Sequence, residues 1–239
     1  LVVVDGVIWN SYQDLESIHA GLFINPLDDI DVNDIEDITI MKDGTSIYGA
    51  KGANGVVLIT TKRSKSMVTK IGLNVFYGIL DRPAQIPLLS SEEYRIYASD
   101  MLTSYKVATG EDVSADFLAN PNNPIYNAYF NNTNWSDLVY QTGNVGNYVV
   151  NVDGGDDRAM YYFSIGLTNS DGAVKTTDYQ RLNARFNVDA NFTKFLKTKA
   201  EVSFTNNIRT LLDDGVDRFS SPTWQAQIKS PFLSPYLFS

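Results

Sequence analysis

The chain has no cysteine and a single histidine, His19. Without thiols there are no disulfides, no thiolate nucleophile and no Cys-ligated zinc. One imidazole cannot build a His-rich metal site. Any Ser-His-Asp catalysis would have to pass through His19, which stands in a polar connector and reads as an ordinary loop residue. Positive charge is also short: 19 Lys and Arg face 28 Asp and Glu, a formal net charge of −9. Sequence-blind binding of nucleic acid needs clustered Lys and Arg, so the charge balance argues against it. Long apolar runs are missing too, and no stretch reaches the ~18 residues of a transmembrane helix. A transmembrane β-barrel stays open, because strands of ~9–11 alternating residues escape hydropathy. Lack of cysteine fits an exported bacterial protein.

At 239 residues the chain could hold one large domain or two smaller ones. It opens at Leu1, inside the apolar run Leu1–Val4, and its last residues read as a loop, so both ends are expected to be cuts. Leu1–Gly6 reads as a strand ended by an Asp-Gly turn. Val7–Gly21 reads as polar connector with a helical turn around Leu15, and Asn25–Leu27 as a further turn. Asn33 or Asp34 is expected to cap a short helix through Ile38. Thr39–Lys42 then reads as a strand, and Thr45–Tyr48 as one helical turn closed by Gly49. Glycines at 44, 49, 52 and 55 allow unusual backbone angles and close approach. The β-branched run from Gly55 to Thr61 predicts a strand buried on both faces. The basic, serine-containing Lys62–Ser66 reads as a domain boundary.

Beyond it, strict alternation appears in five runs: Ile71–Ile79, Tyr148–Asp153, Tyr161–Thr168, Leu182–Phe192 and Leu196–Thr205. One face is apolar and the other polar, which suits a half-buried antiparallel sheet of a soluble domain as well as a membrane barrel. Two details favour the barrel. The polar face carries Arg185, Asn187, Asp189 and Asn191, more than a packed core tolerates but ordinary for a water-filled lumen. Connections also alternate, short at Gly154–Ala159 and Thr193–Phe195, long at Asn169–Gln180. Within the long connector Leu80–Gly146, Ser90 and Glu93 form a capping box. It opens an amphipathic helix with Tyr94, Tyr97, Ala98, Met101, Leu102 and Tyr105 on one face. Asn120–Asn134 reads as coil, and Asn134 starts a second short helix.

Few residues invite chemistry. The pairs Asp28-Asp29, Asp156-Asp157 and Asp213-Asp214 read as turn caps before glycosidase acids. Asp213, Asp214 and Asp217 are weak metal candidates that lack the spacing of a calcium loop. The glycines around Asn54-Gly55 match no nucleotide fingerprint. Tyr126, Tyr129 and Trp135, set among asparagines, are candidate substrate contacts, with loop packing the plainer reading.

Three segments together resemble a known family: LVVVDGV at 1–7, DIEDI with MKD at 34–43, and IYGAKGANGVVLITTK at 47–62. They are similar to the plug domain of the SusC/RagA family of TonB-linked outer-membrane proteins. Asn134-Trp135, Tyr140–Gly143, Gly154–Asp156, Tyr161-Tyr162 and Asp178–Asn183 resemble the start of that family's barrel. The resemblance implies a mostly β fold. Residues 1–66 would be the later part of a small α+β plug, and 67–239 the opening strands and loops of an antiparallel transmembrane β-barrel of about 22 strands. About five of those strands would be present here. It implies a non-enzymatic importer of oligosaccharides or oligopeptides in the outer membrane of a Gram-negative, Bacteroidota-like bacterium. No cofactor is implied. Its partners would be a SusD-like surface lipoprotein, outer-membrane lipid and the TonB complex, the last through a segment not in this sequence. Asp5, Gly6, Lys42, Asp43, Tyr48, Gly49, Gly52, Asn54 and Gly55 would be the plug's structural or gating residues. Two other functions are weighed beside it: a soluble glycan-binding β-module of a larger enzyme, and a barrel kept as a structural part of an outer-membrane machine.

Overall fold

The computed structural model describes residues 1–9, 26–212 and 218–236. The chain divides into two compact units. One comprises Leu1–Leu80, Gly143–Gly172 and Thr176–Leu211, the other Asp81–Thr142, Ala173–Lys175 and Leu212–Ser239.

The first unit begins with β1 (Val2–Val4) and β2 (Val7–Trp9), joined by Asp5-Gly6. Both turn residues have positive φ, 48° and 87°, the turn whose twist matches a two-residue hairpin. The expected Asp-Gly turn is there. It sends the chain straight back on β1, pairing Val4 with Val7, so Val7–Trp9 is a strand rather than connector. The helical turn expected around Leu15 lies outside the described residues.

A 3-10 turn, Val32–Asp34, follows the one at Pro26–Asp29. Its cap is Asp31, whose side chain accepts from Asn33 N at 2.8 Å. The helix expected from Asn33 through Ile38 does not form. Ile35–Met41 instead makes β3, because these residues pair antiparallel with β4 (Val56–Thr61), from Ile35 opposite Thr61 to Met41 opposite Val56. Tertiary pairing overrides the local capping signal. The sheet order is β2-β1-β4-β3, with β1 and β4 parallel. Val56 and Ile59 are buried on opposite faces of β4 as expected, although Thr60 is exposed. Val4, Ile30 and Ile59 form the core, flanked by Val2, Trp9, Leu27, Ile35 and Val57. Between β3 and β4, α1 (Thr45–Tyr48) ends at Gly49 with φ of 62°, as the glycine predicts.

The five alternating runs become one meander, β5 (Lys70–Leu80), β6 (Gly143–Gly155), β7 (Ala159–Asp171), β8 (Asp178–Asn191) and β9 (Lys197–Thr210). All neighbours are antiparallel. Register aligns the apolar positions across the sheet: Leu73, Val150, Ile165, Ala184 and Phe204 form one row, and Ile71, Val152, Phe163, Phe186 and Val202 the next. This apolar face is the open one. Ile71 and Leu73 are 77% and 71% exposed, whereas Ser164, Asn183 and Asn187 on the polar face are 0%, 3% and 2%. The expected long loop Asn169–Gln180 is shorter, because the β7–β8 ladder continues to Asp171 opposite Asp178 and leaves residues 172–177 between strands.

In the second unit, α2 (Ser91–Thr109) starts at the expected capping box, Ser90 N donating to Glu93 at 2.8 Å, and ends at Gly110 in left-handed conformation. Only part of its apolar face packs. Tyr94 meets Phe232 at 5.5 Å, while Tyr97, Met101 and Tyr105 are largely exposed, unlike the buried stripe their spacing suggests. Helices α3 (Asp116–Ala119), α4 (Trp135–Val139, capped by Asn134 as expected) and α5 (Pro222–Ile228) complete it.

Candidate functional site

The polar face of the meander meets the acidic rim of the four-stranded sheet within the first unit, and buried charged side chains pair along this seam. Alternation along β8 points Arg181, Asn183, Arg185 and Asn187 inward together. Arg181 Nη2 donates to Asp31 Oδ2 at 2.6 Å, with side-chain exposures of 9% and 0%. Its Nη1 donates to the Asp28 carbonyl at 2.7 Å. Arg185 stands between Asp34 at 3.6 Å and Asp5 at 3.9 Å. From β7, Tyr162 OH donates to Asp34 at 3.0 Å. Asn187 donates to Thr61 Oγ1 at 3.0 Å and to the Lys62 carbonyl at 2.8 Å. Arg63 pairs with Asp189 and Glu201, and Arg209 with Asp28 at 2.7 Å.

A charge taken out of water is tolerated only when paired and hydrogen-bonded. The charged, amide-rich polar face of β8 predicts that Arg185 and Asn187 face a water-filled lumen. Both are instead covered, at 8% and 2% exposure, because the Asp28–Asp34 segment and Thr61–Lys62 supply partners of matching chemistry. Asp28 and Asp29 likewise do not simply cap their own turn. They reach β9, where Arg209 pairs with Asp28, and Thr205 Oγ1 donates to the Asp29 carbonyl at 3.0 Å. Asp156 does cap its turn, accepting from Arg158 N and Ala159 N at 2.8 Å each.

Of the nine residues in the glycine-rich motif set, Asp5 alone reaches this seam. It accepts from Thr61 N at 2.8 Å and Thr61 Oγ1 at 2.6 Å, tying the β1–β2 turn to the end of β4. Gly6 completes that turn. Gly52 is buried, and a Cβ there would lie 2.8 Å from the backbone carbonyl carbon and oxygen of Gly44. Gly55 has φ of 95°, and its added Cβ would lie 3.1 Å from the Met41 carbonyl oxygen. Tyr48 is half-buried, whereas Lys42, Asp43, Gly49 and Asn54 are exposed at the turn end of the sheet. Asp43 accepts from Thr45 N at 2.9 Å, which holds its carboxyl below the ordinary aspartate range.

The three aromatic candidates lie in the second unit, and two are occupied by neighbouring rings. Tyr129 meets Phe117 at 5.0 Å and Phe232 at 5.5 Å, and Tyr126 meets Phe130 at 5.1 Å. Trp135 donates to the Ser230 carbonyl at 3.0 Å and carries the Lys229 ammonium 4.0 Å above its ring. It lines a groove of about 640 Å³ with Ile86, Leu88, Tyr94, Asn132 and Ile228. His19, Asp213, Asp214 and Asp217 lie outside the described residues. Among the described residues no cluster of three metal-ligating side chains occurs.

No family model matches the chain. Individual proteins do. It is 29% identical over 220 residues to the TonB-dependent receptor SusC of Bacteroides thetaiotaomicron, covering 90% of this chain and 19% of that protein. It is 30% identical over 210 residues to the TonB-dependent receptor P26 of Formosa agariphila, covering 86% and 19%. The chain thus spans about a fifth of the length of these curated relatives. Its fold is that of part of the RagAB peptide transporter, with a TM-score of 0.74 at 22% identity over 99% of this chain and 27% of the other. The segments that resemble the SusC/RagA pattern are those that build the two sheets and their turns, and the chain belongs to the SusC/RagA family of TonB-dependent receptors.

Proposed function

We propose that the chain is part of an outer-membrane importer of oligosaccharides or oligopeptides. Residues 1–66 form the later part of the plug and 67–239 the first strands and loops of the barrel. The observation that carries this reading is the inverted meander, apolar on its open face and charged on the face that meets the four-stranded sheet. A soluble β-module would bury the apolar face; a barrel wall in lipid exposes it and keeps polar side chains inside. The glycine turn and the Asp5–Thr61 tie then make a stopper whose seat is the ion-paired seam. TonB, engaging the plug, would work against contacts near Asp5, Lys42 and Asp43, and a SusD-like lipoprotein would be the outer partner. Of the three aromatic candidates, Trp135 is the substrate-side contact, because it lines the groove, whereas Tyr126 and Tyr129 pack on neighbouring rings. The chain carries no proposed catalytic or metal role.

Uptake by the full-length protein tests this reading. We expect accumulation of labelled oligosaccharide or oligopeptide to require TonB. Deletion of Gly49–Gly55 should leak small solutes or block assembly. Uptake that is unchanged by that deletion, with no leak, would refute the plug assignment.

A further inference from the structure

We propose that the groove beside Trp135 takes the carboxylate of an acidic, apolar oligopeptide, read by Lys229 and Arg95. That this ligand is a transported substrate rests on the import reading; the binding chemistry rests on the groove itself. Ile86, Leu88 and Ile228 line it and are 66%, 56% and 48% exposed, so apolar side chains find unused apolar surface there. The acids at its walls are already engaged. Glu93 Oε2 accepts from Ser90 N and Ser90 Oγ at 2.8 Å each. Asp137 accepts from the groove residues Gln85 and Asn134 and from Arg82.

The bases are not engaged. Lys229 lines the groove with its ammonium 4.0 Å over the Trp135 ring, and it has no carboxylate partner among the described residues. The Arg95 guanidinium stands 4.1 Å over the Phe130 ring. It makes no hydrogen bond or ion pair among the described residues, and its Nη1 is buried. Ser91, one turn earlier on the same face of α2 and only 5% exposed, has an equally unpartnered Oγ. Its N–H donates to Asn132 Oδ1 at 3.2 Å, and Asn132 lines the groove, which places Ser91 and Arg95 at the groove's edge. In a chain of net charge −9, two cations without counter-ions beside acids that are already bonded mark a place for an anion. A carboxylate suits it. The planar fork of a guanidinium matches one, and the nearby Glu92 and Glu93 repel a phosphate dianion more than a monoanion. A neutral oligosaccharide offers the cations nothing, and an acidic one brings no aliphatic side chains to Ile86, Leu88 and Ile228.

Binding to the full-length protein in detergent tests the site without a transport step. The probes are isotopically labelled Leu-Leu-Glu and the same peptide with both carboxyl groups amidated. We expect the acid to bind about tenfold tighter at neutral pH, the worth of one charge-assisted hydrogen bond. Lys229→Met alters an exposed residue and should cut this preference several-fold, while Lys229→Arg keeps it. Arg95→Met should cut it too, and if that variant does not assemble the Lys229 pair decides. Equal binding of acid and amide overturns the proposal, as does a preference untouched by Lys229→Met. Trigalacturonate bound with the same dependence on Lys229 overturns the peptide assignment. A preference that stands in a protein without TonB-dependent uptake strikes the import reading and leaves the site, whereas TonB-dependent uptake with no preference strikes the site alone.

Discussion

Arg181→Met in the full-length protein should loosen the four-stranded sheet from its seat, and the structure sets the size of the effect. The methionine keeps most of the apolar stem, so the change is chiefly one of charge. Asp31 is fully enclosed and retains its bonds from Asn33 N at 2.8 Å and Asn33 Nδ2 at 2.9 Å, both on Oδ1. Its Oδ2, now 2.6 Å from Arg181, is left without its cation. Breaking a buried pair from one side costs about 3–5 kcal/mol, and the surviving Asn33 bonds favour the lower figure. At about 1.4 kcal/mol per decade, that is roughly a hundredfold in the opening equilibrium of the seam. Hydrogen exchange of β1 and β4 amides measures it directly, since these open when the sheet leaves its seat. The double variant Arg181→Met with Asp31→Leu removes both charges and should exchange close to the parent rate, because the penalty belongs to the stranded carboxylate. A single variant within about threefold of the parent would refute the reasoning, as would a double variant as loose as the single.

Two further outcomes follow from other parts of the molecule. Leu73→Lys places a charge on the open apolar face at a position 71% exposed. In water such a change stays within about 0.5 kcal/mol, whereas on the lipid face of a barrel it costs about 2–4 kcal/mol near the midplane. Unfolding of the full-length protein in lipid vesicles should show the larger figure, and neutrality would refute the membrane assignment of this face. At the start of α2, hydrogen bonds from Ser90 hold the Glu93 carboxyl below the ordinary glutamate value of 4.5. Its contribution to the helix is therefore complete above that value and is lost as pH falls through the lowered one. First-turn exchange in α2 should be steady from neutral pH to mild acid and quicken below it. Glu93→Gln, which keeps the capping geometry, should abolish this dependence.

The parts of the fold that could be read from the residues are those specified within a few positions. Asp5-Gly6 names its turn because both residues tolerate positive φ. Ser90 and Glu93 name a helix start, and period-two alternation names five strands. What alternation does not say is which face meets solvent. The same pattern serves a soluble sheet and a lipid-facing one, and burial alone distinguishes them. Strand ends were also hidden: the ladders run past the alternating runs, taking β7 to Asp171 and β8 back to Asp178, since backbone pairing continues where side-chain pattern fades. The same limit explains Ile35–Met41. Asp34 followed by isoleucines and acids is a fair helix start in isolation, and it becomes a strand because β4 offers it a ladder.

The seam was hidden for a stronger reason. Arg181 and Asp31 stand 150 residues apart, and no local rule couples them. A sign was present nonetheless. Five aspartates crowd positions 28 to 37, and arginines at 181, 185 and 209 fall on polar positions of strands whose other face is apolar. Taken separately, the first reads as a solvated acidic turn and the second as a wetted lumen. Taken together they are charge-complementary surfaces, and complementarity can be noticed in a sequence even when contact cannot. Enclosure then changes what these residues are worth: on a surface such pairs contribute roughly 0–1 kcal/mol, while a buried carboxylate that loses its guanidinium is costly enough to decide where a whole sheet sits. A four-stranded sheet that moves has to break or rehydrate those pairs, so under the plug reading proposed above the arginines of β8, more than the glycines of the family-like motif, would set how tightly that sheet is held.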